Sequence, residues 1–128
     1  MTKSISKAWG VCEQLLRLGV MAVDRITVQP QFRSSLHYHK YQENWFTVLA
    51  GELTVEVFDS NRKLEQSHLL APVVRPLWIP SQRWHRFVNL SDAVCVAVEW
   101  YVAVPSKTAG EQDIVRFDKG GKVRRRNT

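Results

Sequence analysis

The sequence predicts an all-β chain, folded as one antiparallel sandwich or barrel of the jelly-roll type. Three observations carry that expectation. Eight or more short segments rich in β-branched and aromatic residues recur at roughly 8–12-residue spacing. Each is bounded by Pro, Gly, Asn, Asp or Ser, the residues that punctuate strands. No stretch of helical period separates them, and only "VCEQLLRLG" offers a brief helical alternative.

In chain order, "GVMAVDRITVQP" alternates in part and closes at Pro30, which reads as a strand. "NWFTVLA" and "ELTVEVFD" follow, joined at Gly51. The second alternates cleanly, with Leu53, Val55 and Val57 on one face and Thr54, Glu56 and Phe58 on the other. Asp59-Ser60-Asn61 marks a turn. "KLEQSHLLA", "RPLWIP", "RWHRFVNL" and "AVCVAVEWYVA" complete the set, the last setting Val94, Val96, Val98 and Trp100 opposite Cys95, Ala97, Glu99 and Tyr101. Short strands at such spacing, with no repeat or low-complexity linker, are the pattern of a jelly roll.

At 128 residues the chain makes one domain, large enough to bury roughly two-thirds of its unfolded surface. Its composition, 45% hydrophobic and 23% charged, is that of a soluble globular protein, and no apolar run reaches the roughly 20 residues of a membrane helix. "MTKSISKAWGVCEQ" lacks the apolar segment of a secretory signal, so a cytoplasmic location is expected. Cys12 and Cys95 form no CxxC pair and read as buried free thiols. The net charge of +6 falls to about +1 without the five positives Lys119, Lys122, Arg124, Arg125 and Arg126. We therefore expect a nearly neutral domain over 1–118 and a basic flexible tail over 119–128, with no specific nucleic-acid partner.

Chemistry enters at "SLHYHKYQENWFTVLAG". On a strand, residues i and i+2 share a face, so His37 and His39 project together, about 7 Å apart, while Tyr38 points away. An antiparallel barrel can bring His85, in "RWHRFVN", beside them. Three neutral imidazoles plus a carboxylate suit a divalent zinc, iron, manganese, nickel or copper ion rather than calcium or magnesium. On spacing alone, two outward histidines on a solvated face remain an alternative.

The two segments together resemble the paired motifs of the cupin superfamily. In the first, HxH is followed by Glu and then by a strand-ending glycine, here His37, His39, Glu43 and Gly51. In the second, Pro80, His85 and Asn89 match the proline, histidine and asparagine spacing, with 28 residues between Gly51 and Pro80. Over its whole length the chain is similar to type II phosphomannose isomerases, which also form the last domain of bifunctional mannose-1-phosphate guanylyltransferases. "KAWGVCEQL" resembles their Trp-Gly opening, and "GEQDIVRFDKGGKVRR" their closing segment. The resemblance implies a cupin barrel, a divalent metal with zinc favoured over manganese, iron or nickel, and interconversion of mannose 6-phosphate and fructose 6-phosphate. It implies ligands His37, His39, Glu43 and His85, with a homodimer as the assembly. Other implied chemistries are an epimerisation, an iron-dependent dioxygenation, or non-catalytic binding of a sugar or nucleotide sugar.

Departures from the family pattern define further expectations. Counted back from Gly51, the family's glutamate falls at Asn44, so Glu43 reaches the ion only if a bulge resets the strand's phase; Asn44 or water is the alternative. Gln31 and Gln82 stand where the family often has glycine, and Gln42, with Lys40 nearby, where it carries an arginine. Isomerisation needs a base titrating near neutrality, and the candidates are Glu43, if it is not a ligand, and Glu99 in its apolar strand. For the phosphate, Arg33, Lys40, Arg83 and Arg86 flank the motifs, with Arg83 preferred because alternation sets it beside His85. His68 has no motif partner, and Trp45, Trp78, Trp84 and Trp100 read as core or dimer packing. Trp9 is placed to pack within the chain or across a second subunit.

Overall fold

The computed structural model describes residues 3–104, 107–109 and 113–123. They form strands β1 (Lys3–Lys7), β2 (Gly10–Leu18), β3 (Met21–Val28), β4 (Phe32–Arg33), β5 (His37–His39), β6 (Gln42–Ala50) and β7 (Leu53–Phe58). There follow β8 (Leu64–Leu70), β9 (Leu77–Ile79), β10 (His85–Val88), β11 (Cys95–Ala103), β12 (Ile114–Arg116) and β13 (Gly121–Lys122). One sheet has the order β1-β2-β3-β11-β6-β9; the other runs β12-β5-β10-β4-β13, with β7 beside β10 and β8 beside β7. Every pairing is antiparallel. This is the all-β jelly roll that the sequence predicts.

The segment "VCEQLLRLG" is strand, not helix. Pairing with β1 on one side and β3 on the other overrides its local propensity, and a register shift between Gln14 and Leu16 absorbs an extra residue. Burial follows strand periodicity in β3, β6, β7 and the first half of β11, so their inward residues are set by alternation alone.

Those inward rows are apolar at one end and polar at the other. Along β3, Val28 and Ile26 give way to Asp24; along β6, Val48 and Phe46 give way to Asn44 and Gln42. Along β11, Cys95 and Ala97 precede Glu99, and on β10 Phe87 precedes His85. One end of the barrel is thus filled by a core of Trp9, Ile26, Val28, Phe46, Val48, Leu53, Val55, Phe87 and their neighbours. The other end is left for chemistry. Trp9 belongs to this core, its ring meeting Phe87 edge-on at 4.9 Å within the same chain.

Two glycines position these layers. Gly51, at φ 78°, turns β6 into β7, and a Cβ there would lie 2.6 Å from the Val94 carbonyl oxygen. Gly120, at φ 71°, lies so close to Ser34 that a Cβ would sit 2.6 Å from its carbonyl carbon. That approach bears on the expected tail: the fold continues past residue 118, because β13 pairs with β4 and Val123 N donates to Gln31 O at 2.7 Å. Residues 124–128 lie outside the described residues. Gln31 and Gln82 keep left-handed backbones, φ 66° and 64°, so the glutamines bear the turn conformation that glycine adopts freely.

On the outer face of the first sheet, Trp78, Trp45 and Trp100 stand in register across β9, β6 and β11, and Val23 continues the row on β3. Trp45 and Trp100 stack at 6.0 Å with planes 4° apart. Among the described residues, no helix is long and apolar enough to cross a membrane.

Candidate metal centre

The polar end of the barrel collects three histidines from two neighbouring strands. His37 and His39 project inward from β5 as i and i+2, and His85 opens β10, directly opposite His37. One ring nitrogen of each lies within 4.8 Å of the others, and all three residues are buried. The rings meet edge to face, with centroids 4.5 Å apart for His37 and His85 and 5.2 Å for His37 and His39.

Each Nδ1 has an acceptor. His37 Nδ1 donates to Ser35 O at 2.8 Å, His85 Nδ1 to Arg83 O at 2.8 Å, and His39 Nδ1 to Asp113 Oδ1 at 3.2 Å. With Nδ1 carrying the proton, Nε2 keeps its lone pair. His39 Nε2 and His85 Nε2 are buried without a hydrogen-bond partner among the described residues. Burial holds the His85 imidazolium down to about 3, with the charge of His39 adding to it; burial and the two other imidazoles hold His37 well below its ordinary range. Neutral rings, back-anchored Nδ1 atoms and orphaned inward nitrogens fit a divalent cation. The residues present therefore suit the metal that the motif implies.

Glu43 is not among them. The register of β6 against β11 is continuous from Val48 to Gln42, so no bulge resets the phase. Glu43 points outward and accepts from Trp78 Nε1 at 3.0 Å, while Gln42 and Asn44 point in. Asn44 is fully buried; its Nδ2 donates to Glu99 Oε2 at 2.8 Å and its Oδ1 has no partner among the described residues. It sits between Gln42, whose amide nitrogen is 3.3 Å from His39 Nδ1, and Phe46, whose ring is 6.2 Å from His85.

Glu99 faces the interior. It lines a cavity of about 270 Å³ together with His37, His39, Gln42, Asp24 and Tyr101. Burial pushes its carboxyl up to about 8, although hydrogen bonds from Tyr101 and Asn44 act the other way. Tyr101, its ring 5.3 Å from that of His39, hydrogen-bonds Glu99, and burial raises its phenol well above the ordinary value. The thiols of Cys12 and Cys95 are free and buried, pushed up by desolvation to about 12 and about 11, which leaves them unreactive.

Arg83 is displaced from its expected place. Residues 81 and 82 form a turn and 83 and 84 are irregular, so strand alternation begins only at His85. The Arg83 side chain runs outside the barrel to Glu65 and to Phe58 O at 2.8 Å, and only its carbonyl serves His85. Arg33 pairs with Asp118 at 3.2 Å and Arg86 with Glu56 at 2.7 Å; Lys40 is exposed and lines a groove on the outer surface beside Arg83, not the cavity. His68 bonds Gln66 on β8, away from the site.

Sequence reasoning missed Asp113. Its carboxylate accepts from His39, from Tyr41 N at 2.9 Å and from Gln42 Nε2 at 2.9 Å. Burial works to raise its pKa, but these hydrogen bonds outweigh it and hold the group below its ordinary value. Asp118, in the same closing segment, accepts from Leu36 N at 2.9 Å, and β12 pairs with β5 throughout, so this segment backs the HxH strand.

A family model described as mannose-6-phosphate isomerase C-terminal matches residues 1–119. The chain belongs to this family. Its fold is the cupin barrel, and members of the family's structural neighbourhood superpose well on it. CapF, a capsular polysaccharide assembling protein of Staphylococcus aureus, is 15% identical with a TM-score of 0.77, over 91% of this chain and 34% of that one. Oxalate decarboxylase of Bacillus subtilis is 15% identical with a TM-score of 0.72, over 91% and 30% respectively. Oxalate oxidase in complex with glycolate is 20% identical with a TM-score of 0.62, over 77% and 46%. The chain thus spans about a third of CapF, and at these identities the likeness is one of fold. No curated protein matches the chain.

Proposed function

We propose that this mannose-6-phosphate isomerase family member is a metal-dependent sugar-phosphate isomerase, interconverting mannose 6-phosphate and fructose 6-phosphate in the cytoplasm. The observation that carries this reading is that His37 and His39, which group with His85 as a three-histidine donor set, line one cavity with the buried carboxyl of Glu99. A dication held by His37, His39 and His85, with zinc the first to test and manganese, iron or nickel next, would supply Lewis acidity toward the sugar oxygens. Glu99, titrating near neutrality, takes the proton from the carbon beside the carbonyl and returns it to the carbonyl carbon, while the hydroxyl proton passes from the adjacent oxygen to the former carbonyl oxygen. Tyr101 and Asn44 hold that carboxyl in place, and the buried floor at Phe46 excludes water from beneath the site.

Metal analysis of protein purified without a histidine tag, followed by a coupled assay on mannose 6-phosphate, tests the reading. Stoichiometric metal and turnover lost in His37→Ala and His85→Ala support it. A second reading, a non-catalytic sugar-binding cupin, is favoured by the outward turn of Glu43; metal and ligand binding without turnover would select it.

A homodimer through the tryptophan face accompanies this proposal. The row crosses four strands, β9, β6, β11 and β3, and its aromatic outer face is the surface we assign to the second copy. The charges near the row are already matched, Arg25 by Glu13 at 2.9 Å and Glu43 by Trp78. Light scattering should give twice the chain mass, and Trp45→Glu should halve it; a monomeric wild type would refute the pairing.

A further inference from the structure

We propose that Lys7, Arg116 and Lys119 form an anion subsite at the mouth of the barrel cavity, and that it takes the phosphate monoester of a small ligand. The assignment rests on reading the cavity as a sugar-phosphate site and names the residues that would read the phosphate.

The three cations come from the two ends of the chain: Lys7 ends β1, while Arg116 ends β12 and Lys119 follows it in the closing segment. All three line the cavity that holds His37, His39 and Glu99. Arg116 stands opposite His37 in the β12–β5 pairing. Lys7 acts from another side, where its charge favours the ionised forms of Glu99 and Cys12. All three thus border the cavity that Glu99 and the histidines of β5 face.

Pairing separates these cations from the arginines around them. Arg17, which also lines the cavity, is held by Asp24 at 2.8 Å. Arg25, Arg33, Arg83 and Arg86 each have a carboxylate partner. Lys7, Arg116 and Lys119 are exposed and carry no hydrogen bond or ion pair among the described residues. A solvated lysine is unremarkable alone. Three unpaired cations from the two ends of the chain, around one polar cavity, leave a surplus of positive charge, four cations against Asp24 and Glu99, that an anion would balance.

Phosphate fits the arrangement better than a carboxylate. Its three oxygens can be shared among several donors, and the Arg116 guanidinium can engage two of them at once. At about 270 Å³ the cavity falls just below the range typical of ligand pockets, which leaves room for one small phosphorylated molecule. The basic residue Lys119, which composition alone assigns to a solvated tail, thereby gains a place in the site.

Titration of metal-loaded protein with inorganic phosphate, followed by calorimetry, tests the subsite apart from any turnover. Wild type should show one site, weakened by added salt. Lys7→Met and Arg116→Met should each weaken it about tenfold, Arg116→Lys by less, and Lys63→Met, in an exposed turn, not at all. Circular dichroism confirms that each variant is folded, and Arg116→Lys serves where Arg116→Met is not. Absence of a phosphate site in wild type, or affinity indifferent to these substitutions, overturns the subsite. Phosphate binding that depends on the cations without turnover of mannose 6-phosphate overturns the isomerase reading and leaves the subsite standing.

Discussion

Glu99 couples stability to pH in a direction that can be worked out in advance. Its carboxyl titrates at about 8 in the fold against an ordinary value of 4.5, because burial opposes the charge. The folded state therefore binds the proton more tightly than the unfolded chain, and the contribution of this group to stability is fully present below about pH 4.5. It declines as pH rises from there and levels off above about 8. Between pH 5 and pH 9 the expected loss from this one group is about 4 kcal/mol, at 1.36 kcal/mol per pH unit over the interval in which the two states differ. Glu99→Gln keeps the shape, retains an oxygen to accept from Asn44 Nδ2, and removes the charge at every pH. Urea unfolding of metal-free protein, followed by tryptophan fluorescence at pH 5, 7 and 9, reads the difference directly. The variant should gain on the wild type as pH rises, by about 4 kcal/mol over the full range. A wild-type-minus-variant difference that is the same at pH 5 and pH 9 would refute the buried, proton-holding carboxyl.

Three other substitutions probe the surroundings of the site. Asp113→Asn leaves His39 Nδ1, Tyr41 N and Gln42 Nε2 competing for one oxygen, and should weaken zinc binding 10–100-fold in a competition titration; unchanged affinity would remove Asp113 from the site's support. Gln82→Gly relieves a left-handed φ of 64° while the Gln82 N to His39 O bond stays, so the unfolding free energy should rise by about 0.5–1 kcal/mol. A fall would show that the glutamine side chain stabilises the turn. Phe46→Ala opens a cavity beneath the histidines and should cost about 3–5 kcal/mol in denaturant unfolding, and a cost below about 1 would place Phe46 outside the packed floor.

The barrel was legible because alternation is a local signal. A cross-strand partner 48 residues away did not have to be known to see that His37 and His39 share a face, and the Pro80, His85 and Asn89 spacing supplied the third histidine. Glu43 and Arg83 failed for one shared reason: the phase of a side chain depends on where a strand begins and whether a bulge intervenes. β6 turned out regular where a bulge was needed, and β10 started two residues after Arg83. Asp113 was invisible for a different reason. A single aspartate 74 residues from His39 in sequence has no periodic or spacing signal, and only the pairing of β12 with β5 brings it in. The basic end of the chain misled through composition, which reports charge but not the close packing of Gly120 on Ser34 that ties β13 to β4. Gln31 and Gln82 show the converse, since the backbone held its turns despite the loss of glycine.

The central claim is that His37, His39 and His85 hold one divalent metal through nitrogens that the fold leaves unpartnered. Calorimetric titration of untagged, metal-free protein with zinc and with manganese tests it most directly, with His85→Ala alongside. The account predicts one ion per chain, a raised unfolding temperature on loading, and at least a hundredfold loss of affinity in the variant. Wild-type protein that takes up no stoichiometric metal, or a His85→Ala variant that binds it equally well, would contradict the account.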